Sequence, residues 1–341
     1  MISFLRAAIR RTWPLFAAGA CCAMLVALIA AMVPSPARAA DHIRIATQKT
    51  GTLAWELSVM KAHGLDRKAN LSIDTDELAS TEAGKVALRA GSADVIVSDW
   101  LWVARERALG SNLVFYPYSS TLGAVMVPEK SSIATIADLK GKKLGVAGGP
   151  LDKSWLLLRA LALRSGIDLN AQADIVYGAP PLLSAEALRG QTDATLTFWN
   201  FCANLESQGM RQAIGVAEIM KSLGAEAAVP MLGYVFDGQW GAQHRSALRR
   251  FFAAAMQAKE ILASSPAEWQ SLAPYVGTED ANALAIYRKR YSEGIPRRSI
   301  TAVTTDARAL YLILAKLGGR QLVGPTPELD PGTFYSAEAG E

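Results

Sequence analysis

The sequence predicts an α/β protein of two doubly wound βαβ lobes joined by a two-strand hinge, and three observations carry that prediction. Residues 43–100 alternate short apolar strands with helices, and residues 143–199 repeat the alternation in the same order. Each copy closes on one frame of Gly, two residues, Asp, five residues and Trp: Gly91, Asp94 and Trp100 in the first, Gly190, Asp193 and Trp199 in the second. After each copy comes a strand that opens Leu-Gly, at Leu122-Gly123 and Leu232-Gly233. A chain of 341 residues is long enough for two such cores.

The first 39 residues read as an export leader cleaved near Ala39. Arg6, Arg10 and Arg11 supply a positive end, Leu15 to Val33 an apolar run, and Ala37-Arg38-Ala39 a small-residue cleavage site. The rival reading is an uncleaved anchor, because Trp13 to Val33 approaches the length that spans a bilayer; Pro34 and Pro36 favour removal. Taking the leader's four arginines from the 35 basic residues leaves 31 basic against 31 acidic. That balance carries no footprint for nucleic acid or an anionic membrane. Cys21 and Cys22 leave with the leader, and Cys202 alone cannot close an internal disulfide.

Lobe I is assigned residues 40–124, lobe II 125–232, a mostly helical return to lobe I 233–323, and a tail 324–341. In lobe I the order is strand IRIAT, a Gly-Thr loop, helix LAWELSVMKAH, Gly64, strand LSIDTDEL, helix TEAGKVALRAG and strand ADVIVSDW. Lobe II repeats it as KLGVA, a Gly-Gly loop, SWLLLRALALRS, Gly166, ADIVYG, LLSAEALRG and TDATLTFW. The alternation predicts a parallel sheet in each lobe, built from right-handed crossovers. The Leu-Gly strands, within 121–130 and 231–240, are read as the outward and return crossings. Ser265-Pro266-Ala267-Glu268 marks a helix start. Further helices are expected over 245–263, 279–292 and 304–317, then a tail from Gly324 that is either a strap or loosely ordered.

In an open α/β sheet, ligands bind beyond the carboxyl ends of the strands. Asp99-Trp100 and Trp199-Asn200 stand at two such ends, so facing lobes would put both tryptophans on one cleft. The alternative is that each Trp plugs its own lobe and that Asp99 caps the helix beginning LWVARER. Helix starts with bare backbone N–H groups favour an anion, at Thr50-Gly51-Thr52, Ser80-Thr81, and Gly148-Gly149 through Ser154; ordinary capping uses the same residues. Trp100, Trp155 and Trp199, with Tyr118 and Tyr234 near the hinge, can form flat walls, and Asp99 can neutralise an amine. Trp155 has core packing as its alternative.

The stretch from Ser131 to Ile167, the EALRGQTDATLTFW that follows, and the paired lobes resemble the extracytoplasmic solute-binding proteins of ABC importers in the sulfonate, taurine, nitrate and pyrimidine-precursor group. Asp138-Leu139-Lys140-Gly141-Lys142-Lys143, directly before a strand, is the most specific part. The resemblance implies the type II periplasmic-binding architecture, a periplasmic location, and a monomer that passes its ligand to an ABC permease with its ATPase. The ligand it implies is a small organic or inorganic anion, sulfonate-, nitrate- or carboxylate-like, with an amine or ring as options. Two departures affect ligand identity: Gly148-Gly149-Pro150-Leu151-Asp152-Lys153-Ser154 replaces a Gly-Ser-Thr-Ser-like start, and Trp199-Asn200-Phe201 replaces Trp-Glu-Pro. No cofactor or metal is called for. The competing classes are an enzyme of the same fold, for which His42, His63 and His244 all fall away from strand ends, and an accessory binding protein serving a sensor or an enzyme.

Overall fold

The computed structural model describes residues 39–48 and 51–336. The leader, Thr50 and the end of the tail therefore lie outside the described residues. The first repeat runs β1 (Asp41–Gln48), α1 (Thr52–Ala62), the short α2 (Leu65–Lys68), β2 (Leu71–Leu78), α3 (Thr81–Arg89), β3 (Val95–Asp99) and α4 (Trp100–Ala108), and then β4 (Leu113–Ser119). After β5 (Gly123–Pro128), the second runs β6 (Lys143–Ala147), α5 (Lys153–Arg164), α6 (Leu169–Gln172), β7 (Asp174–Gly178), α7 (Pro180–Leu188), β8 (Ala194–Phe198), α8 (Trp199–Ser207), β9 (Met210–Gly215) and α9 (Val216–Ser222). The return comprises β10 (Leu232–Asp237), α10 (Gly238–Gln243), α11 (Arg245–Ser264), α12 (Pro266–Ser271), α13 (Ala273–Val276), α14 (Ala281–Glu293) and α15 (Ile300–Val323). All of these belong to one compact unit that begins at Asp41.

Two five-stranded sheets result, ordered β2-β1-β3-β10-β4 and β7-β6-β8-β5-β9. Position for position they are the same sheet built twice. The repeated aspartates explain part of that identity. Asp94 accepts the backbone N–H of Arg44 at 2.8 Å, and Asp193 accepts that of Lys143 at 2.8 Å, so each fixes the third strand of its repeat against the first. The glycines that open the frame, Gly91 and Gly190, hold φ of 70° and 69°, the left-handed turn that ends the preceding helix.

The sheets are mixed, not purely parallel as the alternation predicts. β10 runs antiparallel to β3 and β4, and β5 antiparallel to β8 and β9. A strand that arrives from the other lobe enters at the end where its neighbours stop, and so must run against them. Leu232 pairs with Asp99, and Gly123 with Phe198. This entry also explains the repeated Leu-Gly. A Cβ on Gly123, at φ 142°, would sit 2.0 Å from the Thr197 carbonyl oxygen; one on Gly233 would sit 2.3 Å from the Phe115 ring.

The return layer joins the halves. α14 packs on α8, and α15 packs on both α4 and α5. The tail is a strap as far as it is described: the Phe115 N–H donates to the Thr333 carbonyl and the Tyr335 N–H to the Phe115 carbonyl, each at 2.8 Å, which pins Phe334 beside the edge strand β4. Gly123→Ala is expected to lower the unfolding free energy by roughly 1–3 kcal/mol. Gly149→Ala, whose added methyl meets nothing within 4 Å, should leave it nearly unchanged, both measured by urea denaturation.

Candidate ligand-binding site

Helical spacing brings the polar centre of the molecule together. Thr52 and Glu56 lie one turn apart on α1, and Glu56 falls on a helix buried at Leu53, Trp55, Leu57 and Met60. Lys259 falls on the stripe of α11 that buries Phe251, Ala255, Ala258 and Leu262. The two charges meet: Glu56 is 1 % exposed, Lys259 4 %, and the ammonium pairs with the carboxylate. Tyr291 donates its hydroxyl to Glu56 Oε1 at 2.5 Å, and Tyr234 donates to Oε2 at 3.2 Å. Lys259 Nζ also stands 4.0 Å from the centre of the Tyr118 ring, a cation–π contact. The Tyr118 hydroxyl is 2.9 Å from Thr52 Oγ1.

Burial pulls the Lys259 ammonium below its usual pKa, against the opposing pull of Glu56. Burial, reinforced by the Glu56 charge, pushes the phenols of Tyr118, Tyr234 and Tyr291 well above theirs. All three therefore remain hydrogen-bond donors at neutral pH.

A pocket opens on this cluster, lined by Thr52, Glu56, Tyr118, Ser119, Lys259, Tyr291, Gly294 and Ile295 of lobe I and by Trp199 of lobe II. Its free volume is about 10 Å³, room for about one water molecule. Trp199 stands edge-on to Trp55 at 5.9 Å and leans on Tyr287 and Tyr291. Thr52, Tyr118 and Trp199 are thus brought together as the sequence suggests, with Tyr234 just behind them on Glu56.

The other candidates go elsewhere. Trp100 is fully buried in its own lobe, against Tyr311 and Phe334. Trp155 is likewise core, edge-on to Tyr177. Both follow their packing alternative: α15 and the strap cover Trp100, and α15 packs on the helix that carries Trp155. Ser80 caps α3 by accepting the Ala83 N–H, and Thr81 Oγ1 accepts from Gln48 Nε2 at 2.6 Å. Gly148 holds φ 93° with its N–H on the Gly178 carbonyl, and the Gly149 carbonyl accepts the Asp152 N–H. The helix those glycines precede is capped by Asp152, which accepts the Trp155 N–H, with Ser154 buried in its first turn. Gly51 is the N-cap of α1 and brings no side chain to it. Asn200 is half-buried beside Trp199 and does not line the pocket.

Asp99 takes its capping alternative, and its second oxygen is met by the chain's own Lys153, not by a ligand amine. Oδ1 accepts the Trp102 N–H at 2.9 Å and caps α4, while Oδ2 accepts from Lys153 Nζ of lobe II at 3.1 Å. A second ion pair between the lobes joins Arg290 of α14 to both oxygens of Glu206 on α8, at 2.5 and 3.0 Å. Glu56, Lys259 and Tyr291 were not among the sequence candidates. The signal for Glu56 and Lys259 was a charge set into an apolar helical face.

Residues 57–269 match the family model described as NMT1/THI5 like. The chain belongs to the NMT1/THI5-like family. This family member is 27 % identical, over 65 % of its own length and 69 % of the relative's, to a Haemophilus influenzae protein named "Putative thiamine biosynthesis protein". Its fold is that of the periplasmic aliphatic sulphonate binding protein SsuA from Escherichia coli, at a TM-score of 0.68 and 19 % identity over 88 % of this chain and 96 % of that one. The alkanesulfonate-binding protein SsuA from Xanthomonas axonopodis pv. citri matches at 0.63 and 20 % identity, over 86 % and 98 %. The resemblance read from Asp138 to Lys143 and the paired lobes is to the same group of two-lobed solute-binding proteins.

Three outcomes test this geometry. Lys259→Met leaves Glu56 buried without its cation, and is expected to lower the unfolding free energy by roughly 3–5 kcal/mol. Trp100→Ala should lower it by roughly 3–5 kcal/mol through the cavity it opens, both read by urea denaturation. Burial raises the Asp99 pKa, but the Lys153 charge and the Trp102 N–H outweigh it and hold the carboxyl below its ordinary value. The Asp99 contribution is therefore complete above about pH 4, the unfolded carboxyl range, and is lost as pH falls through the lower folded value. The stability difference between wild type and Lys153→Gln should hold steady near neutrality and shrink below about pH 4.

Proposed function

We propose that this chain is an extracytoplasmic solute-binding protein that captures a small organic solute between its lobes and delivers it to an ABC permease with its ATPase. The observation that carries the reading is the pocket to which lobe I brings Thr52, Tyr118 and the Glu56–Lys259 pair, and lobe II brings the Trp199 indole. A ligand that touches both lobes favours the closed arrangement and shifts the population towards it. The tyrosine and tryptophan walls favour a flat, ring-bearing solute, and the polar pair offers one acceptor and one donor to its substituents. The binding functions in the names of the two SsuA proteins support transport; the name of the Haemophilus influenzae relative supports a heterocyclic solute.

The same reading places the mature protein in the periplasm as a monomer, with the leader removed near Ala39 and the lobes divided at residues 124, 232 and 323. One observation favours an enzyme instead: a buried carboxylate beside a lysine of depressed basicity is an acid–base pair in the pocket. Cys202 offers no thiolate, since burial pushes it up to about 12.

Native mass spectrometry of the protein purified from its own periplasm should show a co-purified small molecule. Trp199→Ala should weaken rebinding of that molecule by at least about tenfold, equal to 1.4 kcal/mol, while Trp100→Ala leaves affinity unchanged and costs only stability. Conversion of the recovered molecule on incubation with the protein would replace the binding reading by the enzymatic one.

A further inference from the structure

We propose that a groove at the end of α15 is a second ligand site, built for a small amphiphilic anion: an aliphatic chain that carries one carboxylate. The groove shares no lining residue with the pocket on Glu56. It encloses about 280 Å³, close to the lower bound of roughly 300 Å³ for small-molecule sites. Leu312, Ala315, Val323, Pro325 and Pro327 supply apolar walls, and the charged residues of the lining are Lys316 and Arg320.

Local sequence builds the groove. α15 kinks at Gly319, whose φ of 58° and ψ of −162° belong to a region open essentially to glycine alone. A Cβ there would meet nothing within 4 Å, so conformation and not crowding calls for the glycine. After the helix the chain runs through Gly324-Pro325-Thr326-Pro327. The Tyr311 hydroxyl holds this turn against α15 through the carbonyls of Val323 at 3.4 Å and Thr326 at 3.2 Å. The two walls are therefore fixed relative to each other.

Charge and exposure name the occupant. Leu312 is 59 % exposed at the mouth of the groove. The side chains of Lys316 and Arg320 form no ion pair or hydrogen bond among the described residues, whereas Lys153, Lys259, Arg290 and Arg298 are all paired. Arg308, exposed one turn before Leu312, adds positive charge to the same face of α15. Glu328 follows Pro327 but does not line the groove. A molecule with an apolar body and one anionic head complements this arrangement. Its chain covers Leu312 and the two prolines, removing apolar surface from water. Its head meets Lys316 and Arg320 at the rim through charge-assisted hydrogen bonds while water still reaches it. A neutral chain leaves the cations unmatched, and a small inorganic anion leaves the walls bare.

The test is isothermal titration calorimetry with octanoate, butanoate and 1-octanol as probes, each below the concentration at which it self-associates. Octanoate is expected to bind saturably. Butanoate, four methylenes shorter, should bind at least about tenfold more weakly because each buried methylene contributes. Octanol, which keeps the chain and lacks the charge, should also bind at least about tenfold more weakly. The double variant Lys316→Gln, Arg320→Gln should lose at least about tenfold in octanoate affinity, and Leu312→Glu, which sets an acid one turn before Lys316, should lose as much. Trp199→Ala should leave octanoate binding unchanged. Absence of saturable binding, equal affinity for octanol, or an unaltered affinity in the double variant overturns the proposal. So does a loss in Trp199→Ala, which assigns the octanoate to the cleft. Sedimentation with phosphatidylglycerol vesicles tests an anionic membrane as the occupant: pelleting that depends on Lys316 and Arg320, with no binding of free octanoate, overturns the small-ligand proposal. The substituted side chains are exposed, so the variants are expected to fold; if one does not, the comparison of octanoate with octanol on wild type decides.

Discussion

One buried carboxylate organises the centre of this molecule. Glu56 takes the ammonium of Lys259 from α11, the hydroxyl of Tyr291 from α14 and that of Tyr234 from β10. A carboxylate removed from water needs that many donors, because each unmet lone pair costs free energy. The need ties α1 to three elements of the return segment, which is far from it in sequence. The floor of the pocket is therefore a consequence of satisfying Glu56, and its zero net charge follows from the same pairing. The aromatic walls add a second constraint: Trp55 touches Trp199, Trp269 and Tyr287 edge-on, so the lobe II indole meets a wall already built in lobe I.

The duplicated topology makes the two lobes comparable residue by residue, and the comparison shows how one local sequence acquires two fates. Trp100 and Trp199 each head a helix immediately after the third strand of a repeat. In lobe I the indole is covered by Tyr311 of α15 and Phe334 of the strap. In lobe II Trp199 faces Tyr287 and Tyr291 of α14 across the cleft. Among the described residues one return segment, β10 to α15, serves both halves, so they are not finished in the same way. Asymmetry between identical positions is the price of a single return, and it puts one indole in a core and the other in the site.

The ion pairs between the lobes belong to the same picture. Asp99, which also caps α4, pairs with Lys153, and Arg290, which also pairs with Glu293, binds Glu206. They join the lobes beside a pocket with room for about one water molecule.

Much of the fold was legible in the chain. The repeated frame, its glycines and its aspartates act through backbone geometry within a few dozen residues, so Asp94 and Asp193, Gly91 and Gly190, and the Leu-Gly pairs mean the same thing before and after folding. The capping residues Ser80 and Asp99 could be named for the same reason, since caps are local. Strand direction in the sheets could not be read, because it depends on which lobe a strand arrives from. The partners of Glu56 and Lys259 also lay beyond reach: 203 residues separate the two, and a charge on an apolar face announces a need without naming what meets it. Sequence determined the repeat and its local turns through steric and hydrogen-bonding rules of short range. Only the tertiary structure decided which tryptophan lines the cleft and what charge it holds, because both depend on long-range burial.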